Sequence, residues 1–289
     1  MFNRWFDADT IFLNPNVPWT LFVPPSDFED IHLLATKDHH GLNAGMLMLR
    51  VHAWTVSMLA EVVSLRQFKP DLELEYYDQS ALKYIIERPG YEEHCAYQPH
   101  DWWNAFGLQG KPYATPAFML HFAGVDCCGH PEKKGVVMGR WLDALEVTPQ
   151  KYSTPLEDSV YPGQVAEYWG MLRNASLILN MADKWQQETL YTEEDIQIAR
   201  AELKNTTINR PDDVQAVGHD ISKIEKIINT VTPGAVPLGM GQVDKFVNVT
   251  VTFGKSEKEL EEDARQAAIQ ADGSRSTKSP STSKSAIDS

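Results

Sequence analysis

Trp5-Phe6-Asp7-Ala8-Asp9-Thr10-Ile11-Phe12-Leu13 sets two acids, one residue apart, between two apolar runs. Thr10 to Leu13 reads as a strand. In an extended backbone alternate side chains share a face, so Asp7 and Asp9 are expected to present both carboxylates to one side of a strand end. Paired hard oxygens suit Mn²⁺ or Mg²⁺. An ion held by few protein ligands keeps coordination positions for phosphate oxygens and can stabilise a diphosphate leaving group, which is the chemistry of transfer from a nucleotide-sugar. The competing reading is a solvated strand end leading into the Asn14-Pro15-Asn16 turn. The apolar flanks weigh against it, because carboxylates emerging from a buried strand need partners or a metal.

Composition narrows the function classes. The 289 residues are 43% hydrophobic, enough to bury a substantial core. A formal charge of -14, from 40 acids against 26 bases, argues against a general nucleic-acid or anionic-membrane surface, where a basic face is expected. No apolar run approaches the roughly 18 to 20 residues of a membrane span, and no basic stretch followed by an apolar core marks a secretion signal, so a soluble chain is expected. The three cysteines, Cys95, Cys127 and Cys128, do not make a disulfide framework. Cys127-Cys128 with His130 lacks the spacing of a zinc knuckle, which favours thiols over a zinc site.

From the start to about Leu145, short apolar runs alternate with Gly, Pro and Asp, the pattern of an α/β domain. Strands are expected over Thr10 to Leu13, Ile31 to Ala35, Met46 to Val51 and Phe118 to Phe122, with Gly41 to Gly45 a turn before the third. Helices are expected from Trp54 to Leu65 and from Asp78 to Arg88, the second with Asp78 as its cap and Leu82, Ile85 and Ile86 on its apolar face. Further helices are expected at Gly163 to Gln187, Thr192 to Lys204 and Asp212 to Asn229. In the last, Val214, Val217, Ile221, Ile224 and Ile228 form a narrow seam that packs on a neighbour. Pro233 to Gly241 reads as a linker, Ser256 to Ala271 as a charged helix, and the Ser, Thr and Lys-rich end as disordered. The division is 1–150 for the α/β domain, 151–232 for a helical extension and 233–289 for linker, helix and tail.

Four more clusters carry polar chemistry. In His39-His40-Gly41-Leu42-Asn43-Ala44-Gly45, two glycines admit a ligand or another backbone and Asn43 can offer an amide to hydroxyls; an ordinary turn is the alternative. Asp78-Gln79-Ser80, at a helix start, is either an N-cap or an acid and amide that bind sugar hydroxyls and support positive charge at an anomeric carbon. Gln98-Pro99-His100-Asp101-Trp102-Trp103-Asn104 offers flat rings beside polar groups, suited to stacking on a pyranose or to anchoring a core. His121-Phe122-Ala123-Gly124 ends an apolar strand. Its histidine either completes a metal site begun by carboxylates or is a hydrogen-bonded core residue.

Taken in order, Asp7-Ala8-Asp9, Gly41-Leu42-Asn43-Ala44-Gly45, Asp78-Gln79-Ser80-Ala81-Leu82 and His121-Phe122-Ala123-Gly124 resemble glycosyltransferase family 34. That family includes fungal Golgi α-galactosyltransferases and α-mannosyltransferases and plant xyloglucan xylosyltransferases. The resemblance covers about Arg4 to Trp141, and Trp102-Trp103-Asn104 is similar to the fungal branch. It implies the C-terminal part of a GT-A-like nucleotide-diphospho-sugar transferase fold. It also implies retaining transfer of a hexose from UDP-galactose or GDP-mannose to a glycan acceptor, with Mn²⁺ as the usual ion and Mg²⁺ the alternative. Asp7, Asp9 and His121 then match metal positions. Asn43 and Gly45, with Trp102 and Gly124, belong to the substrate pocket, and Asp78 and Gln79 lie beside the anomeric centre as supporting groups. A Golgi lumenal setting and a glycosyltransferase complex are implied in the same way.

Two departures qualify this expectation. Family members carry a membrane anchor and a nucleotide-binding βαβ region before the Asp-x-Asp strand, whereas six residues precede Asp7, so the chain is expected to lack both. Related folds often follow the histidine motif with a lysine against the diphosphate; here Val125-Asp126-Cys127 follows, leaving Lys133 or Lys134 for that contact. Asn-x-Ser/Thr triplets at Asn174, Asn205 and Asn248 fit a luminal protein. Two rivals remain open: a metal-dependent phosphate-ester hydrolase, for which no second acidic cluster is visible, and a non-catalytic remnant acting as an acidic interaction protein.

Overall fold

The computed structural model describes residues 1–107, 117–125, 132–191 and 193–242. Within them the chain runs β1 (Phe2–Phe6), β2 (Thr10–Phe12), β3 (Leu33–Asp38), β4 (Gly41–Arg50), α1 (Ala53–Phe68), α2 (Tyr77–Ile86), β5 (Cys95–Tyr97), α3 (His100–Trp103), β6 (Ala105–Phe106), β7 (Met119–His121), α4 (Lys134–Val147), α5 (Tyr161–Thr189), α6 (Glu194–Asn209) and α7 (Val214–Val231). The larger sheet has the order β1-β4-β3-β5 and the smaller one β2-β7-β6. Pairing is antiparallel for β1–β4, β3–β4 and β2–β7, and parallel for β3–β5 and β6–β7. The mixed α/β character expected from the alternation of apolar runs is the architecture found. Cys127, Cys128, His130, the expected helix after Ser256 and the chain end lie outside the described residues.

Period-two alternation explains how the larger sheet is covered on both faces. Leu33 and Ala35 of β3 and Leu47 of β4 pack with Met58 and Leu65 of α1 and Leu82, Ile85 and Ile86 of α2. Leu34, Met46 and Met48 point the other way, into a core with Trp103, Tyr168, Trp169 and the seam of α7. The smaller sheet contributes Ile11, Leu120 and Phe122 to a third cluster with Val137 of α4. Val217, Ile221, Ile224 and Ile228 are all fully buried, as the seam in the sequence requires.

Three local expectations are revised. Gly41 to Gly45 is not a turn: His39 and His40 make the turn, Gly41 closes it at φ +100°, and Leu42 to Gly45 already belong to β4. Asp78 does not cap α2; the helix enters through Tyr76 and Tyr77, Ser80 Oγ accepts the Tyr76 N–H at 2.9 Å, and Asp78 lies in the first turn. Pro233 to Gly241 is packed rather than a free linker. Buried Glu225 accepts the N–H groups of Gly239 and Met240, and an added Cβ on Gly218 would meet Gly241 O at 2.2 Å. A buried carboxylate with backbone donors explains why this segment folds back on α7. Asn174, one of the triplet asparagines, is buried in α5 with its amide on Met240 O at 2.9 Å, which removes it as a glycan acceptor. Asn205 is exposed on α6, and Asn248 is outside the described residues.

A stack of three imidazoles stands apart from the acid pair. His32, buried, lies between His52 at 4.1 Å and His94 at 5.0 Å, with its Nδ1 unpartnered. Burial first, then the neighbouring His52, His94 and Arg50 charges, depress its pKa to about 4. A histidine more acidic in the fold than in the unfolded chain contributes stability above about pH 6.5 that is lost as the pH falls toward 4. Lowering the pH from 7 to 5 is therefore expected to remove about 2 kcal/mol through this group. In thermal melts, His32→Phe should show a flatter pH dependence over that range; an unchanged slope would rule the effect out.

Candidate metal centre

Asp7 and Asp9 do not project from one strand. They occupy the connector between β1 and β2, which carries the chain from the larger sheet to the smaller one. The connector is fastened at both ends: Asp7 N–H donates to Gly45 O at 2.8 Å, and Asp9 O accepts the Phe122 N–H at 3.0 Å. This brings the acids to the end of β7. His121 Nε2 lies 3.4 Å from Asp9 Oδ1 and 3.9 Å from Asp7 Oδ2. Among the described residues this is the group of three whose ligand atoms lie close enough to hold a metal ion, all within 4.8 Å of one another.

The orientation of His121 is set by a hydrogen-bond chain whose polarity can be read end to end. It starts at Asp38 Oδ2, which can only accept and takes the Asn43 Nδ2 amide at 2.9 Å. Asn43 Oδ1 therefore faces the other way, accepting the Gly45 N–H at 2.9 Å and Asn104 Nδ2 at 3.1 Å. Asn104 Nδ2 also donates to Thr36 Oγ1 at 2.6 Å, which leaves Asn104 Oδ1 to accept from His121 Nδ1 at 2.9 Å. With Nδ1 as the donor, the Nε2 of a neutral ring turns its lone pair on two carboxylates. Three acceptors converging in this way call for a cation between them, either a proton on Nε2 or a metal ion. This is the arrangement by which an outer residue fixes the tautomer of a metal-binding histidine.

Packing enforces the same placement. β4 bulges against β3, whose register moves from Leu34↔Met48 to Thr36↔Asn43, and the bulge delivers Gly45 beneath the imidazole. A Cβ on Gly45 would stand 2.1 Å from His121 Cε1, so only glycine leaves room for the ring. Gln79 Oε1 accepts the Ala44 N–H at 2.9 Å and hooks the start of α2 onto this bulge.

The two acids differ electrically. Asp7, with its side chain about half exposed, has its pKa raised mainly by partial burial, with the charges of Asp9 and Asp78 adding to the rise and His121 opposing it. Asp9 is held well below the ordinary carboxylate range, chiefly by its hydrogen bond with His121 and also by Lys134, against the opposing effect of burial. Lys134 Nζ, at the start of α4, sits 2.6 Å from Asp9 Oδ2. Asp9 is thus the firmly ionised acid of the pair, already attended by the Lys134 ammonium.

The expected site residues divide accordingly. Asp7, Asp9 and His121 converge. Asn43 and Gly45 stand directly behind them, Asn43 4% exposed and Gly45 buried, so they set the histidine instead of facing open space. Gln79 is committed to the bulge, and exposed Asp78 is close enough for its charge to be felt at Asp7. Trp102 is corrected from a sugar platform to a core anchor: it is 5% exposed, flanked by Phe22 and Tyr168, and its N–H is on Gln164 Oε1. Gly124, at φ +73°, forms the turn after β7. Asn104, Thr36 and Asp38 were not singled out by sequence. Asn104 lay inside the tryptophan cluster, where the rings drew the reading away from the amide.

Residues 19–132 match the model of the galactosyl transferase GMA12/MNN10 family, glycosyltransferase family 34, in agreement with the resemblance carried by the ordered motifs. The match includes Asn43, Gly45, Asp78, Gln79, Asn104 and His121, and begins after Asp7 and Asp9. Comparisons with curated proteins and with solved structures gave no match.

Proposed function

We propose that this chain is a hexosyltransferase of GT-A type, moving galactose or mannose from a nucleotide-sugar to a glycan acceptor with retention at the anomeric carbon. The family match over residues 19–132 supports the transferase class. The observation that carries the metal-dependent part is the hydrogen-bond chain from Asp38 that turns His121 Nε2 onto Asp7 and Asp9.

Asp7, Asp9 and His121 would hold Mn²⁺ or Mg²⁺, and the imidazole among two carboxylates favours Mn²⁺ of the two. When bound, such an ion acts as a Lewis acid toward the diphosphate and takes up charge as the sugar–phosphate bond breaks. The remaining roles belong to the chain. Lys134 supplies an ammonium beside that charge, suited to phosphate oxygens. Asp78 supports positive charge at the anomeric carbon, and Gln79 places Asp78 by anchoring α2. Asn43 and Gly45 act as positioning residues through His121. A Golgi lumenal setting and work within a glycosyltransferase complex belong to the same reading. No helix among the described residues is long and apolar enough to cross a membrane.

Thermal unfolding with Mn²⁺, in the presence of UDP or of GDP, tests the reading. A ligand at 100 times its Kd adds about 2.7 kcal/mol to the folded state, a rise of several degrees. The rise is expected with one nucleotide, only with the metal, and not in Asp9→Asn. No rise in a folded sample would instead favour a non-catalytic relative.

A further inference from the structure

Trp5 is the aromatic residue that the metal centre leaves unexplained. Unlike Trp102 and Trp103 it is not in the core: 56% of its surface is exposed. Alternation along β1 sends Phe2, Arg4 and Phe6 to one face, where Phe2 lies under Arg50, Arg4 over Trp19 and Phe6 edge-on to Phe12. Trp5 therefore faces the other way, toward the side taken by Asp7. The indole N–H, its one polar group, is close enough to the Asp7 carboxylate to favour the charged form of that group. Among the described residues no ring or cation covers its faces.

Single exposed apolar residues are ordinary on a protein surface and need no explanation. This one differs in being oriented. Its N–H edge lies toward the Asp7 carboxylate, two residues on along the same face of the chain, which leaves a flat apolar face exposed beside the cluster. An indole face recognises the carbon-bound hydrogens of a pyranose ring while the hydroxyls reach elsewhere. In a nucleotide-sugar, the hexose is joined directly to the diphosphate, whereas the base lies beyond the ribose. A ring beside the Asp7 carboxylate is therefore within reach of the sugar and not of the base. We propose that Trp5 is the stacking surface for the donor hexose and a determinant of donor recognition; this rests on the donor reading above.

Calorimetric titration of the Mn²⁺-loaded chain compares UDP-galactose with UDP, and GDP-mannose with GDP. Trp5→Ala is expected to weaken the nucleotide-sugar by about tenfold while leaving the matching nucleoside diphosphate within about twofold, because only the former presents a sugar to the indole. Trp5→Phe, which keeps a ring but loses the N–H to Asp7, is expected to retain most of the sugar-dependent affinity. Equal losses for nucleotide-sugar and nucleotide, or no loss for either, overturn the stacking role and leave the donor site standing. Loss in Trp5→Phe as large as in Trp5→Ala also overturns it, and assigns Trp5 to positioning Asp7. If neither nucleotide binds the loaded wild-type chain, the donor reading and the stacking role fall together.

Discussion

Asp9→Asn is expected, under the proposed function, to abolish metal-dependent donor binding and to lower hexosyl transfer by about three orders of magnitude, equivalent to about 4 kcal/mol of charge stabilisation. Asparagine matches aspartate in shape, so the loss is one of charge. Asp9 is the more buried of the two acids and the one held ionised more firmly. Its carboxyl is held well below the ordinary range by His121 and Lys134, and its side chain is 17% exposed against 46% for Asp7. A partly buried anion attracts a divalent ion more strongly than one facing solvent, and at Asp9 that attraction is shared with the Lys134 ammonium. The substitution also leaves Lys134 Nζ without the carboxylate 2.6 Å away. Mn²⁺ binding, followed by the paramagnetic signal of the free ion, and transfer with labelled donor are the measurements. Asp7→Asn is expected to weaken both less. Retention of Mn²⁺ affinity within threefold in Asp9→Asn would remove this centre from the mechanism.

Gly45→Ala is the second large effect, and it acts with no change of charge. The new Cβ would stand 2.1 Å from His121 Cε1, while Gly45 has ordinary backbone torsions that alanine can adopt. The clash must therefore be relieved by moving the ring, which is held by Asn104 at Nδ1 and aimed at the acids through Nε2. Displacing an oriented metal-binding histidine costs 10- to 100-fold in affinity by analogy with lost outer-shell partners. Overpacking the site is expected to cost about 1–3 kcal/mol of stability. Gly41→Ala is the control. At φ +100° it strains the turn, with Lys83 and not the histidine as its neighbour, so stability should fall while Mn²⁺ affinity holds. Equal Mn²⁺ affinity in Gly45→Ala and wild type would refute the packing argument.

What sequence could and could not reveal follows from how local each signal is. The apolar runs that became β2, β3, β4 and β7 were visible because period-two burial is written within a few residues, and the seam of α7 because its spacing is helical. Asp7, Asp9 and His121 could be brought together only through the order of the motifs, since Asp9 and His121 are 112 positions apart. Their convergence depends on a connector between two sheets that no local pattern describes. Asn104 was illegible for a different reason. A buried amide matters only through the polarity of its neighbours, and those come from β3, β4 and β7. Trp102 was ambiguous because a ring that stacks on sugar and a ring that fills a core have the same sequence signature; burial by Phe22 and Tyr168 decided it.

The Asp7-Ala8-Asp9 connector between β1 and β2 is tied to Gly45 of β4 at Asp7 and to Phe122, just after β7, at Asp9, so its two acids belong mechanically to different sheets. An ion held by Asp7, Asp9 and His121, as proposed, would act as a rivet through that seam. Affinity for that ion and stiffness of the seam would then be one property, and a substitution that adjusts either would be read out in both.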